Sequence, residues 1–374
     1  MADVKLSSIL GAGAPVGGGA YLGSDSPIIT LEGKTYLKSG NVTAVANVPT
    51  LPTSMHMEAV GGWAASTGTM GVVNDIDSDG AGVWCAATSN GIWRSTDDAA
   101  SWTGPIGATG GTTFQCIASN RAGGAATVWH AGTSTGPIWR SVDNGTTFSS
   151  TAVSSYAVNA VSTDRAGVWV AVSSTNGTDQ ATCRLTSNTG AWGAPTAITG
   201  SSGGVAAIRG IATNRAGKWV IGINSTVAHT SSDNGVSFTQ QTGLSAAAND
   251  VTYVEGTTST FVLGTSTGVI RTTDLTSFSS TTVSGVAGGI YALTSSSGTL
   301  FGMSQQRVHR SIDAGIIWCD AIINTTIASN TDYAAEYAAG TWVVAGGTAA
   351  GQMRTNTKVV GFPIAVSGLY MRTS

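Results

Sequence analysis

Charge is scarce in this chain. Asp, Glu, Lys and Arg make up 10% of its 374 residues, against about 25% in an average globular domain. The net charge of −3 comes with no basic run, so nucleic acid is not an expected ligand. Apolar runs fall short of the roughly 18 residues of a membrane span, so membrane insertion is not expected. The N-terminal stretch "MADVKLSSILGAGAPVGGG" is too glycine-broken for a signal peptide. The cysteines, Cys85, Cys116, Cys183 and Cys319, form no C-x-x-C pair, which argues against a zinc site; scattered among apolar residues, they are expected as buried free thiols, with disulfides the alternative. No metal or cofactor is called for. Helical periodicity is also missing. What is abundant is Gly, at 51 residues, with Ser, Thr and Ala, alongside 41% hydrophobic residues. That is the composition of a β-rich, turn-rich protein kept in solution by hydroxyls more than by charge.

The chain repeats itself. A turn motif recurs as "RSTDDAASW" (94–102), "RSVDNGTTF" (140–148), "RLTSNTGAW" (184–192), "TSSDNGVSF" (230–238), "RTTDLTSF" (271–278) and "RSIDAGIIW" (310–318), with a worn copy, "MRTNTK", from Met353. The recurrent aspartates are Asp97, Asp143, Asp233, Asp274 and Asp313; Ser187 and Asn356 hold the equivalent places in degenerate copies. Asp at this position can accept backbone N–H bonds across the turn, Gly can take a positive φ, and the closing aromatic can fold under the turn. Each copy follows two strand-like runs, of the types "VNDIDSD" and "GVWCAAT", joined in three cases by "NRAG" or "DRAG". Trp84, Trp129, Trp169, Trp219 and Trp342 recur at one place in the second run, as aromatics packing one repeat on the next.

A unit of four short antiparallel strands, repeated with a period of roughly 43 residues, suits the blades of a β-propeller. The expected fold is all-β: a seven-bladed β-propeller of four-stranded antiparallel blades over residues 55–374, preceded by a small N-terminal attachment segment over 1–54. The turn motif resembles the Asp-box, or BNR repeat, with pattern Ser-x-Asp-x-Gly-x-x-Trp/Phe. Ser141, Asp143, Gly145 and Phe148 match it fully, as do the sets beginning at Ser231 and Ser311. The resemblance implies that the motif is structural and lies away from the ligand face. Propellers with such boxes include sialidases, other glycosidases, sorting receptors and plain binding modules, so it implies fold more than function.

Outside the repeats, "SPIITLEGKTYLKSGNV" (26–42), "NVPTLPTS" and the terminal "GLYMRTS" resemble elements of tail and fibre proteins of tailed bacteriophages. That resemblance implies a virion structural protein, assembled in the host cytoplasm in multiple copies and released by lysis. Its N-terminal segment would dock onto other virion proteins and its propeller would meet a host-surface glycan or protein. Two alternatives stay open: a glycan-processing enzyme of sialidase-like fold, and a decoration protein without a ligand.

Catalysis is weakly supported. A sialidase needs a three-arginine clamp, yet Arg121, Arg165 and Arg215 fall on turns and only Arg209 begins a first strand, so no clamp is expected at one channel mouth. Other glycoside hydrolysis needs a paired carboxylate, and Glu occurs only at Glu32, Glu58, Glu255 and Glu336. Glu336, Asp77 and Asp250 lie on first strands and could line a channel. His56, His130, His229 and His309 have no evident partners. No enzyme is therefore expected. Aligning the first strands gives a polar position, Asn74, Gln115, Asn159, Arg209, Asp250, Tyr291 and Tyr333, followed two residues on by Ile76, Ile117, Val161, Ile211, Thr252, Leu293 and Ala335. Period-two alternation predicts a polar ring at one channel mouth, opposite the recurrent turns. It is either a small glycan or peptide site or only a hydrated wall.

Overall fold

The computed structural model describes residues 28–31, 34–39, 56–59, 64–68, 70–151, 156–174, 180–198, 208–255, 259–283, 289–296, 298–304, 307–311, 313–322, 333–338, 340–346 and 353–356. Contacts divide the chain into two units, Trp63–Thr357 and the remainder, Met1–Gly62 with Lys358–Ser374. In the second of these, Ile28–Leu31, Lys34–Ser39 and His56–Ala59 form a three-stranded antiparallel sheet. Strand His56–Ala59 therefore lies with the N-terminal unit, beyond the 54/55 boundary read from the sequence. The segments "NVPTLPTS" and "GLYMRTS" lie outside the described residues.

The larger unit is a wheel of antiparallel meanders, the β-propeller arrangement. Six of its sheets have four strands, for example Ile208–Thr213, Trp219–Ile223, Val227–Ser231 and Thr239–Thr242 in order. The count differs from the seven complete blades expected. Repeat 73–95 yields a three-stranded sheet, Val73–Ser78, Trp84–Thr88 and Gly91–Ser95. Where its fourth strand would pair, a single bridge joins Arg94 to Thr103, and Pro105 follows with no N–H to extend the ladder. The last blade borrows its outer strand from the start of the unit: Ala64–Ala65 pairs with Met353–Asn356. The innermost strands neighbour one another in chain order, and Tyr333–Ala338 neighbours Val73–Ser78, closing the ring. Among the described residues only two 3-10 turns interrupt the strands.

The second strands Trp84–Thr88 and Trp219–Ile223 are buried along their whole length, as strands covered on both faces must be. The core lies between sheets. Val170 and Val172 of one blade pack with Ile208, Ile211, Trp219 and Ile221 of the next. Trp84 and Val73 pack with Ala334, Val343 and Ala345 across the closing seam. Trp84, Trp129, Trp169 and Trp219 are fully buried.

The recurrent turn supports itself and also stitches sheets together. In the copy at 231–238, Ser231 Oγ donates to Asp233 Oδ1 at 2.7 Å and accepts Gly235 N–H at 3.0 Å, while Asp233 Oδ1 accepts Ser237 N–H at 3.0 Å. The copies at Asp97, Asp143 and Asp313 repeat the same Ser–Asp pairing. At Asp274 a threonine, Thr272, takes the place of the serine. Burial opposes ionisation of Asp233, but its hydrogen bonds outweigh it and hold the carboxyl at about 2. The residue before each Gly has a positive φ, 54° at Asn144 and 59° at Asn234, which Asn tolerates better than most residues. That conformation lets Asn144 and Asn234 accept the Trp129 and Trp219 indole N–H groups, both at 3.1 Å. The arginine that opens the motif reaches the following copy: Arg94 Nε donates to Asn144 O, Arg184 Nε to Asn234 O and Arg271 Nε to Ala314 O. Where an arginine opens it in this way, the motif is a seam as well as a turn.

Cys85, Cys116 and Cys183 are buried free thiols, and burial pushes the Cys183 thiol up to about 11, so it carries little thiolate at neutral pH.

Candidate functional site: the central channel

The innermost strands enclose a central cavity of about 260 Å³. Asn74, Gln115, Asn159, Arg209, Asp250 and Tyr291 line it as expected from their position. Tyr333 begins the inner strand of the last blade, and its side chain lies outside the described residues.

The reason these side chains face the channel is not simple alternation. Register slips between Val73 and Asp75, Phe114 and Cys116, Val158 and Ala160, Ile208 and Gly210, and Ala248 and Asp250. The extra residue at each slip is Asn74, Gln115, Asn159, Arg209 and Asn249. A β-bulge re-aims its extra side chain, and here five inner strands carry a register slip at the corresponding position. This corrects the ring by one residue in one blade: Asn249, not Asp250, is the counterpart of Asn74. Both amides make the same bond to the next blade, Asn74 Nδ2 to Phe114 O at 2.6 Å and Asn249 Nδ2 to Ile290 O at 3.0 Å. The apolar residue two positions on is then Val251, which is buried, and not Thr252. Asn159 Oδ1 is buried and has no hydrogen-bond partner among the described residues.

Asp250 instead matches Asp75. Each accepts its own next N–H and one from the neighbouring blade: Asp75 from Ile76 and Ile117, Asp250 from Val251 and Leu293. These carboxyls clamp adjacent inner strands. Burial raises both well above the carboxylate range, Asp250 to about 7, against the pull of its two backbone N–H groups. The sign follows directly. Native Asp250 keeps a proton that the unfolded chain has released, so its contribution to stability falls as pH rises from about 4 through about 7. Burial holds His130 and His229 at about 4, which pulls the opposite way below their ordinary 6.5, so wild type alone does not isolate the effect. We expect Asp250→Asn to gain stability relative to wild type between pH 4.5 and 8, read as urea midpoints. A difference that stays constant with pH would refute the assignment.

The other mouth carries the ion pairs. Arg121 Nη2 meets Asp77 Oδ1 at 2.7 Å and also pairs with Glu336, while Nη1 donates to Tyr337 O at 3.1 Å. Arg215 pairs with Glu255 at 2.6 Å in a more exposed setting. Contrary to the sequence expectation, Arg121, Arg165 and Arg215 all line the cavity, because the tight turn after each inner strand folds over the channel end. Sequence order had shown that they share a turn type, and the inward direction depended on the ring. Among the described residues no group of three or more His, Cys, Asp or Glu is placed to hold a metal ion.

No family model and no curated protein matches the chain. Solved structures do. U3-55K is 9% identical with a TM-score of 0.62, covering 79% of this chain and 98% of that one. A virginiamycin B lyase from Staphylococcus aureus is 10% identical with a TM-score of 0.61, over 79% and 97%. YCF48 bound to D1 peptide is 10% identical with a TM-score of 0.59, over 83% and 97%. At such identity the likeness carries fold alone, and the fold it carries for this chain is the β-propeller.

Proposed function

We propose that this chain is a virion structural protein of a tailed bacteriophage, a tail, fibre or appendage component that displays a propeller for binding a host-surface glycan or protein. The N-terminal segment is the attachment element to other virion proteins, and the recurrent turns are Asp-boxes acting as scaffold. The resemblance of residues 26–42 to phage tail elements and the low-charge, hydroxyl-rich composition support the virion role. The observation that carries binding over hydrolysis is the state of the channel carboxylates. Asp75 and Asp250 are occupied by backbone N–H groups, and Asp77 and Glu336 by Arg121. None is presented as a free acid–base pair of the kind glycoside hydrolysis uses.

Two measurements test this. Electron microscopy of the particle with an antibody against residues 63–357 is expected to label an external appendage in several copies; labelling of no particle would end the virion reading. Incubation with sialylated and bacterial glycans, followed by mass, is expected to leave them intact. Cleavage would favour the glycan-processing alternative.

A further inference from the structure

The turns that follow three adjacent inner strands are built alike. In each, a hydroxyl accepts the arginine N–H: Ser119 for Arg121, Thr163 for Arg165 and Thr213 for Arg215. In each, the preceding Asn or Asp accepts two further N–H groups, as Asp164 does from Ala166 and Val168. The turn at 78–83 has the same scaffold, with Ser78 and Asp79 in the same roles. There the arginine position is Gly80, at φ 79°. Arg121, Arg165 and Arg215 adopt φ 48°, 63° and 58°. Glycine takes that conformation freely, while a side chain is strained in it. Three neighbouring blades thus keep a strained arginine where the fold itself accepts glycine, and all three line one end of the cavity.

Their partners divide them. Arg121 is neutralised by Asp77 and Glu336, and Arg215 by Glu255. Arg165, half-buried between them, has no ion pair and no side-chain hydrogen bond among the described residues. We infer that the channel mouth on the side of the recurrent turns is an oxyanion site, with Arg165 as the principal donor to a carboxylate or phosphate group. The planar guanidinium fork matches both groups. Burial, with the neighbouring charges of Arg121 and Arg215, lowers the Arg165 guanidinium to about 9 against the opposing pull of Asp77 and Glu336, and at neutral pH it still carries the charge an anion would meet. This site lies at the opposite end of the same cavity from the bulge-residue ring.

The test uses the full chain at constant ionic strength set with chloride. Sodium phosphate, sodium acetate and sodium glucuronate are titrated by calorimetry, with glucose as the neutral control. Wild type is expected to show saturable binding of phosphate or of the carboxylates, and whichever binds names the group. Arg165→Ala and Arg165→Gly are expected to weaken it about tenfold or more, the scale of a charge-assisted pair. Arg165→Gly should at the same time be as stable as wild type or more so, since it relieves the positive φ. The inference is overturned by an absence of saturable binding above the chloride control, by unchanged binding in both variants, or by a loss of stability in Arg165→Gly, which would make the arginine structural.

Discussion

Arg121→Ala is expected to lower unfolding stability by about 3–5 kcal/mol, the scale for breaking a buried ion pair from one side. Its side chain is only 16% exposed, and those of Asp77 and Glu336 are 11% and 20% exposed. Burial opposes its charge, but the two carboxylates outweigh that and strengthen its hold on the proton. Arg121 comes from one blade, Asp77 from the three-stranded sheet and Glu336 from the last blade, so the guanidinium ties the place where the ring begins to the place where it ends. Without it, two partly buried carboxylates face each other. Burial already pushes Glu336 up, and Asp77 adds to that push. Adding Glu336→Gln to the alanine variant should therefore recover part of the loss. Urea unfolding of the three proteins decides it. A loss below about 1 kcal/mol, the range of surface pairs, would mean that the closing seam does not depend on this ion triad.

The second large effect is expected at Trp219. Trp219→Ala should lose about 3–5 kcal/mol, as large-to-small changes in packed cores do. The indole is fully buried among Val170 and Val172 of one blade and Ile221 of its own, and it anchors Asn234 of the recurrent turn. Trp219→Phe keeps much of the packing while losing the indole N–H bond and part of the ring's volume, so its loss should be about 1–2 kcal/mol, well below that of the alanine variant. Equal losses in the two variants would show that the bond to the turn, and not the packing, carries the residue's contribution.

How much of this was legible in advance depends on the distance over which each contact acts. The recurrent turn was readable because Ser231, Asp233, Gly235 and Ser237 interact within a few residues of one another, and their spacing alone prescribes the bonds. The arginine at the head of the motif was read only as part of a turn. Its bond crosses to the next copy, and nothing local announces that. Alternation alone places Asn74, Gln115, Asn159 and Arg209 against the channel on four bulged strands, for an incomplete reason. On the fifth strand it chose Asp250 over Asn249, since two polar residues stand side by side and only the bulge decides which is the extra one. Thr252 at an otherwise mostly apolar position was a signal of that slip.

From the amino-acid order alone came the all-β class, the repeat length, the turn chemistry and the tryptophan placement, because strand periodicity, positive-φ glycines and short-range hydrogen bonds are local physics. Only the folded wheel decided which sheet lost its fourth strand, that Ala64–Ala65 completes the last blade, that Arg121 spans the closure and that Arg165 stands at a channel mouth without a counter-ion among the described residues. Those features arise from groups far apart in sequence being brought to one axis, and the free energy that selects them exists only once the ring is closed.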